Sequence, residues 1–520
     1  MRVGAQGRGE ANSSATAQAL AASLPAASLT ILAALLGGIV IALVGLTYTL
    51  IALVALAALI VLPLLLSLRI DEAMAVVILV INLLIDWYQL VDATQLLKLP
   101  IHISVVSTGI ALVLIGVMYF ARPDRNPWIT VPYLGLWLIV LILALYPMIQ
   151  GQTLTGAVKY YINVFVNGAL IYVVGTQIGA DPERFRRLIA LLAGFGALVA
   201  VHTVIYVKTG VFLLATHVLN DYLQTRGDFA LGGGSQSRAG SFLYNPDMNG
   251  AFLAPMVLLT LALLIVARSF RWRLLYLGQT AVTLTALLFT YSTAAWAAML
   301  TGVIVFVLFV SRGRQRWLLF GLICAFGVAT ALAFRTEFHS FLHHASNPNE
   351  LTLREGGWLT AIAVIGAFPL TGVGLDPGAY QQLSQPYRVV QEYVALGHPH
   401  NAYLELGALA GLPVLILLVV VVLAGFKRAL RNMREARDPY RTLIGGGAVA
   451  LVVLSINSLA INGWTISPLV VFAWLLLGAV ASPGWVGGQG SLAAPEATGR
   501  IVDGLDADPR QPVQSQREHV

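Results

Sequence analysis

Apolar residues run through this chain in blocks of membrane-spanning length, separated by short polar gaps. Crossing a bilayer core as a helix takes about 20 mostly apolar residues. Fourteen blocks meet or approach that length, near residues 28–46, 48–68, 73–87, 103–120, 128–149, 158–178, 188–207, 249–267, 273–290, 293–310, 317–334, 401–425, 442–462 and 464–481. The third is short and carries Asp86, so a re-entrant segment stays open there. Two gaps are much longer than the others, Lys208 to about Met248 and Arg335 to His400. The second contains GGWLTAIAVIGAF, whose 13 residues are too few to span and predict a helix lying at the interface. The pattern therefore predicts an all-α, polytopic membrane protein.

Composition agrees with the pattern. Of 520 residues 58% are hydrophobic and 11% charged, with mean hydropathy +0.81, where a soluble domain carries about 25% charged residues. The net charge of +7 is explained by position. With the N-terminus inside, the inner gaps hold eighteen Lys and Arg, six of them between Lys427 and Arg441, and the longer outer gaps hold eight. Positive residues stay on the cytoplasmic side, so the basic excess reads as topology and nucleic-acid binding is the weaker reading. Both termini are expected in the cytoplasm. No apolar core precedes the alanine-rich stretch near Ala27, so no cleaved signal peptide is expected. Cys324, the single cysteine, lies in an apolar run and excludes an intrachain disulfide. No internal repeat is visible, which weakens an inverted-repeat transporter.

These readings divide the chain into a cytoplasmic segment 1–27, spans over 28–207, an outer loop with central spans over 208–334, a large extracytoplasmic loop 335–400, C-terminal spans over 401–481, and a disordered cytoplasmic tail 482–520. Eight of nine histidines fall on or near the outer side: His102, His202, His217, His339, His343, His344, His398 and His400. Imidazoles titrate near neutrality and shuttle protons. Together with Arg238 and Arg354 they point to acid–base chemistry on an anionic substrate, with ordinary surface histidines and arginine–carboxylate pairs as the plain alternative. His339, His343 and His344 have helical spacing, but no carboxylate or cysteine stands at ligand distance, so no metal site is expected. Asn163 and Asn167, and Asn457 and Asn462, place polar groups inside spans, where helix–helix contacts are the default and a carrier-lined groove the bolder reading.

Four motifs carry a resemblance. GHPHNAYLELGALAGLPVLILL holds His400, Asn401, Tyr403, Leu404, Glu405 and Gly411; FPLTGVGLDPGAY holds Pro369, Leu370, Gly372 and Gly374; REGGWLTAI holds Arg354 and Trp358; RAGSFLYNPDMNGAFLAP holds Arg238, Gly240, Phe242, Asn245 and Pro246. In this order and spacing they resemble the bacterial O-antigen ligase family, which includes related O-antigen polymerases and oligosaccharyltransferases. Asp247 stands where members commonly have Asn, and Thr293 where they often have Arg. Typical members have about twelve spans, against the fourteen counted here.

The resemblance implies a GT-C-like glycosyltransferase architecture of 12–14 helices with a large extracytoplasmic loop, in the bacterial cytoplasmic membrane, acting without a cofactor. It implies transfer of a glycan from a polyprenyl-diphosphate carrier to an acceptor hydroxyl on lipid A core or another surface molecule. The partners are thus a lipid-linked glycan donor, a glycan or lipid acceptor and membrane lipids, without nucleic acid. Arg238 and Arg354 are expected to hold the diphosphate, since guanidinium forks match its oxygens. His400 is expected as the base or orienter of the attacking hydroxyl. Lys159 is a third positive charge or an interfacial anchor. Asn401 and Glu405, one turn apart, are expected to position sugar or histidine, with helix capping as the even alternative. His398, Tyr403, Asn245, Trp358 and Gly374 complete the expected substrate contacts. A polymerase joining repeat units on the carrier is the alternative within the family, and a lipid-linked glycan transporter the alternative outside it.

Overall fold

The computed structural model describes residues 131–209, 239–243, 245–333, 348–389, 398–466 and 468–482, with a few more at 108–116 and 335–342. The first three predicted spans, most of the fourth, Arg238 and the loop before it, His102, His217, His343 and His344, and the tail after Ser482 lie outside the described residues.

Short polar residues start the helices and apolar runs extend them. Helix α1 is Leu134–Ile149. Thr153 then caps α2 (Leu154–Tyr160) by accepting from Gly156 N–H. A π-helical turn, Tyr161–Val166, joins α2 to α3 (Asn167–Gly179), making one 26-residue apolar rod. Helix α4 (Pro182–Thr209) opens with Pro and Glu183, both suited to a helix N-terminus. Asn245 caps α5 (Pro246–Val266), and Ser269 caps α6 (Phe270–Thr290). Next come α7 (Thr293–Val305) with its π-helical extension Phe306–Val310, α8 (Arg314–Ala333), α9 (Pro348–Ala367) and α10 (Pro377–Leu383). The chain closes with α11 (Ala402–Ala410), α12 (Leu412–Glu435), α13 (Tyr440–Asn457) and α14 (Leu469–Val480). The described residues contain fourteen α-helices and no strand, so the protein is all-α and polytopic.

Among the described residues six segments are long and apolar enough to cross a membrane: Leu154–Gly179, Pro182–Thr209, Pro246–Val266, Thr293–Val310, Leu412–Glu435 and Tyr440–Asn457. Helix α5 is the hub, buried along most of its length against α4, α6, α7 and α13. Helices α3 and α14 pack backbone to backbone. A Cβ at Gly175 or Gly179 would strike the main chain of Leu475 or Ala479, and one at Gly478 would strike Tyr172 O. Small residues permit such approach in an apolar medium, where packing rather than water expulsion joins helices. Leu138 and Ile142 on α1, Ile304 and Phe309 on the α7 rod, and Ile416 and Leu423 on α12 point outward. Apolar faces of this kind suit lipid.

Three elements differ from the apolar pattern. The block 401–425 is two helices, because Gly411 adopts φ +82° and Pro413 follows at once. The block 442–462 stops being helical at Asn457, so Asn462 sits in a turn before Pro468. The 13-residue interfacial stretch belongs to a 20-residue helix, α9, whose polar first half carries Arg354. Its apolar half alone registers as hydrophobic.

Candidate active site

The site is organised around the short helix α11. Asn401 takes an extended backbone and its side-chain oxygen accepts from the N–H groups of Tyr403 (3.0 Å) and Leu404 (3.1 Å), a helix cap. One turn on, Glu405 is not part of that cap. It is buried, accepts from Tyr160 Oη at 3.3 Å, and accepts a short hydrogen bond from Asn462 Nδ2. Helix α11 has nine residues, too few to cross a bilayer. Burial pushes the Glu405 carboxyl up to about 7, opposed by the two donors.

The same Asn462 amide lies 3.5 Å from His398 Nδ1. His400 N–H donates to that Nδ1 at 3.3 Å, and the two imidazole rings are 4.1 Å apart. Two donors facing Nδ1 assign the ring proton of His398 to Nε2. Burial also lowers the affinity of His398 for a second proton. His400 itself has φ +49°, a left-handed backbone that only its surroundings hold in place for a non-glycine residue. The motif His-Pro-His-Asn is thus a tight turn that presents His400, backed by a neutral imidazole and a buried carboxyl.

A strap of chain, Pro369–Asp376, fixes this turn to the rest of the molecule. Leu412 N–H donates to Pro369 O (2.7 Å), Val373 N–H to Ala408 O (2.9 Å) and Gly374 N–H to Leu409 O (3.1 Å). Leu375 N–H reaches Pro147 O at the end of α1 (2.9 Å), and buried Asp376 accepts from Thr153 N–H (3.0 Å) and Oγ1 (2.6 Å) at the start of α2. Gly372 and Gly374 have φ +63° and +103°, and a Cβ at either would meet backbone. Gly374 therefore acts here through the main chain, and the strap joins α11 to the segment carrying Lys159 and Tyr160.

Arg354 comes to the N-terminus of α5, where its Nη2 is 3.2 Å from Asp247 Oδ2 and both side chains are mostly covered. Asn245 is spent on capping: its Oδ1 accepts from Asp247 N–H (2.8 Å) and Met248 N–H (3.3 Å). Arg238 lies outside the described residues. Its neighbour Ala239 donates to Phe289 O and accepts from Asn249 Nδ2, beside buried His202, whose Nδ1 is 2.7 Å from Ser241 Oγ. Tyr403 gives its hydroxyl to Ser455 O (3.0 Å), and the Trp358 indole N–H is buried without a hydrogen-bond partner among the described residues. Lys159 sits in the last turn of α2, next to Tyr160. Among the described residues no three His, Cys, Asp or Glu side chains converge as metal ligands.

The residues brought together are thus His398, His400, Asn401 and Glu405 at one centre and Arg354 with Asn245 at another. Tyr160, Asp376 and Asn462 were not among the expected site residues. Only Asn462 left a signal, as an amide in an apolar block, and its partner lies 57 positions away.

Residues 278–419 match the family model described as O-Antigen ligase. No curated protein matches the chain. The matched segment contains Arg354, the strap and the His398–Glu405 turn, while Arg238, Asn245, Tyr160 and Asn462 fall outside it. Over that segment, about a quarter of the chain, the sequence is similar to the O-antigen ligase family.

Proposed function

We propose that the protein is a membrane glycosyltransferase that moves a glycan from a polyprenyl-diphosphate carrier to an acceptor hydroxyl at the outer face of the cytoplasmic membrane. The observation that carries the reading is the left-handed turn that sets the His400 imidazole beside that of His398, within the family-matched segment. The acceptor oxygen attacks the anomeric carbon, and the bond from that carbon to the diphosphate oxygen breaks. The diphosphate departs with the electron pair, and the hydroxyl proton passes to His400. Attack opposite the leaving group inverts the anomeric centre.

Each group has a physical role in that step. Arg354, with Arg238, binds the diphosphate and offsets the charge that grows on it as it leaves. Asp247 keeps the Arg354 fork oriented until the diphosphate competes for it. His398 holds the His400 backbone through its Nδ1, and Glu405 anchors His398 through Asn462. Lys159 adds positive charge near the carrier.

Reconstitution with a polyprenyl-diphosphate glycan and candidate acceptors tests the reading by the appearance of acceptor-linked product. His400→Ala should lower transfer by about 10²–10⁴-fold, the usual contribution of a general base, with the protein still monodisperse. Full transfer by that variant would refute the assignment, and loss of glycan translocation with transfer chemistry intact would favour a transporter.

A further inference from the structure

Helix α12 carries Lys427, Arg428, Arg431 and Arg434 towards its C-terminal end. Three of these side chains are exposed, and Arg431 Nε pairs with Glu435 Oε1 at 3.0 Å. Arg428 is different. It shares the packed face of the helix with Gly425 and Asn432, three and four residues away. A Cβ at Gly425 would meet the Leu477 side chain at 2.8 Å, and Asn432 Nδ2 donates to Val480 O at 2.8 Å. These two contacts set Arg428 level with Gly478 of α14, where a Cβ would strike Tyr172 O of α3. Neither neighbour supplies an anion.

Arg428 Nε is enclosed and has no hydrogen-bond partner among the described residues, and no carboxylate among them pairs with the guanidinium. A cation inside a spanning helix is costly unless an anion or the membrane surface compensates it. The enclosed Nε keeps this side chain against the bundle, while the residue as a whole is only half-buried, so the guanidinium stays open at one side. Beside it runs an exposed stripe at helical spacing. Ile416, Val420 and Leu423 are apolar, and Lys427, Leu430 and Arg434 continue the stripe with two charges. The change at Lys427 is the change from acyl chains to headgroups, at the level of Arg428. That level is about 24 Å along α12 from Leu412, at about 1.5 Å per residue, and so far from the His400 turn.

We propose that Arg428, with Lys427, binds the phosphate of an anionic glycerophospholipid whose acyl chains lie along Ile416, Val420 and Leu423. A guanidinium fork matches phosphate oxygens. Its uncompensated charge favours a headgroup with net negative charge over a zwitterion, which carries its own cation. A free phosphate would gain nothing from the apolar stripe. This site is separate from the glycan-transfer reading and stands or falls without it.

Native mass spectrometry of the full-length protein released from detergent tests it, with phosphatidylglycerol and phosphatidylcholine of the same acyl chains as probes. Phosphatidylglycerol should bind at least about fivefold more tightly, the effect of one cation on an anionic headgroup. Arg428→Gln should remove most of that preference, and Arg428→Lys should retain part of it. Arg431→Gln, whose charge is already paired with Glu435, should retain all of it. A photoreactive phosphatidylglycerol should label the Leu423–Leu430 stretch of the wild type, a readout that does not depend on any variant folding. Equal binding of the two lipids overturns the proposal, as does an unchanged preference in Arg428→Gln or labelling confined to other helices. An equal loss in Arg431→Gln also overturns it, because a diffuse basic surface would then explain the binding. Displacement of phosphatidylglycerol by equimolar inorganic phosphate overturns the assignment to a lipid.

Discussion

Glu405 shows how one residue's surroundings decide its chemistry. A carboxyl in the first turn of a helix ordinarily stays ionised near the amide dipoles, yet burial raises this one from 4.5 to about 7. Its folded form holds a proton that the unfolded chain has already released, so stability falls as pH rises from about 4.5 to 7 and levels above. Glu405→Gln keeps the volume and removes the titration. Relative to that variant, the wild type's melting temperature should drop across this window in thermal unfolding of the detergent-solubilised protein, and parallel curves would refute the assignment. Asp247 is a second case. Asp247→Asn releases Arg354 from its ion pair, and under the proposed function the KM for the lipid-diphosphate donor should fall about two- to fivefold, in line with a partly exposed pair. An unchanged or higher KM would mean that Asp247 does more than hold the arginine.

At the scale of elements, caps and glycines set the edges that place the site. Asn401→Ala removes the acceptor for two N–H groups and should cost about 1 kcal/mol, while Asn401→Ser should be nearly neutral. Chemical denaturation of the purified protein checks both. Gly411 separates α11 from α12 with a left-handed φ, and its missing side chain lets Leu370 backbone close in. Gly411→Ala should therefore cost more than the about 1–2 kcal/mol of strain alone, since the strap must also move. The helices themselves were readable from the apolar blocks, most of which begin or end within a few residues of the observed ones. Helix α9 was half legible, because its first half reads as polar loop until the fold supplies Asp247 as partner for Arg354.

For the whole molecule, the decisive contact is the close pairing of α3 with α14, which brings Trp474 against Trp137 at 4.6 Å and anchors the rod that carries Tyr160. Gly175→Leu should force these helices apart and abolish monodisperse protein on gel filtration. Leu300→Ala, on an outward-facing apolar position, should leave it intact. Equal behaviour of the two variants would show that α3 and α14 do not depend on backbone contact.

Much of this protein follows from its sequence alone: an all-α membrane chain, the position of most described helices, and the motif residues His400, Asn401, Arg354 and Asn245. Hydrophobic run length is a local property, and motif spacing is linear, so both survive without a fold. The long-range pairs were settled by tertiary structure only: Glu405 with Tyr160 and Asn462, Arg354 with Asp247, and Asp376 with Thr153, separated by up to 245 positions. A buried polar group must find a partner wherever the packing places one, and nothing in the order of residues names that partner in advance.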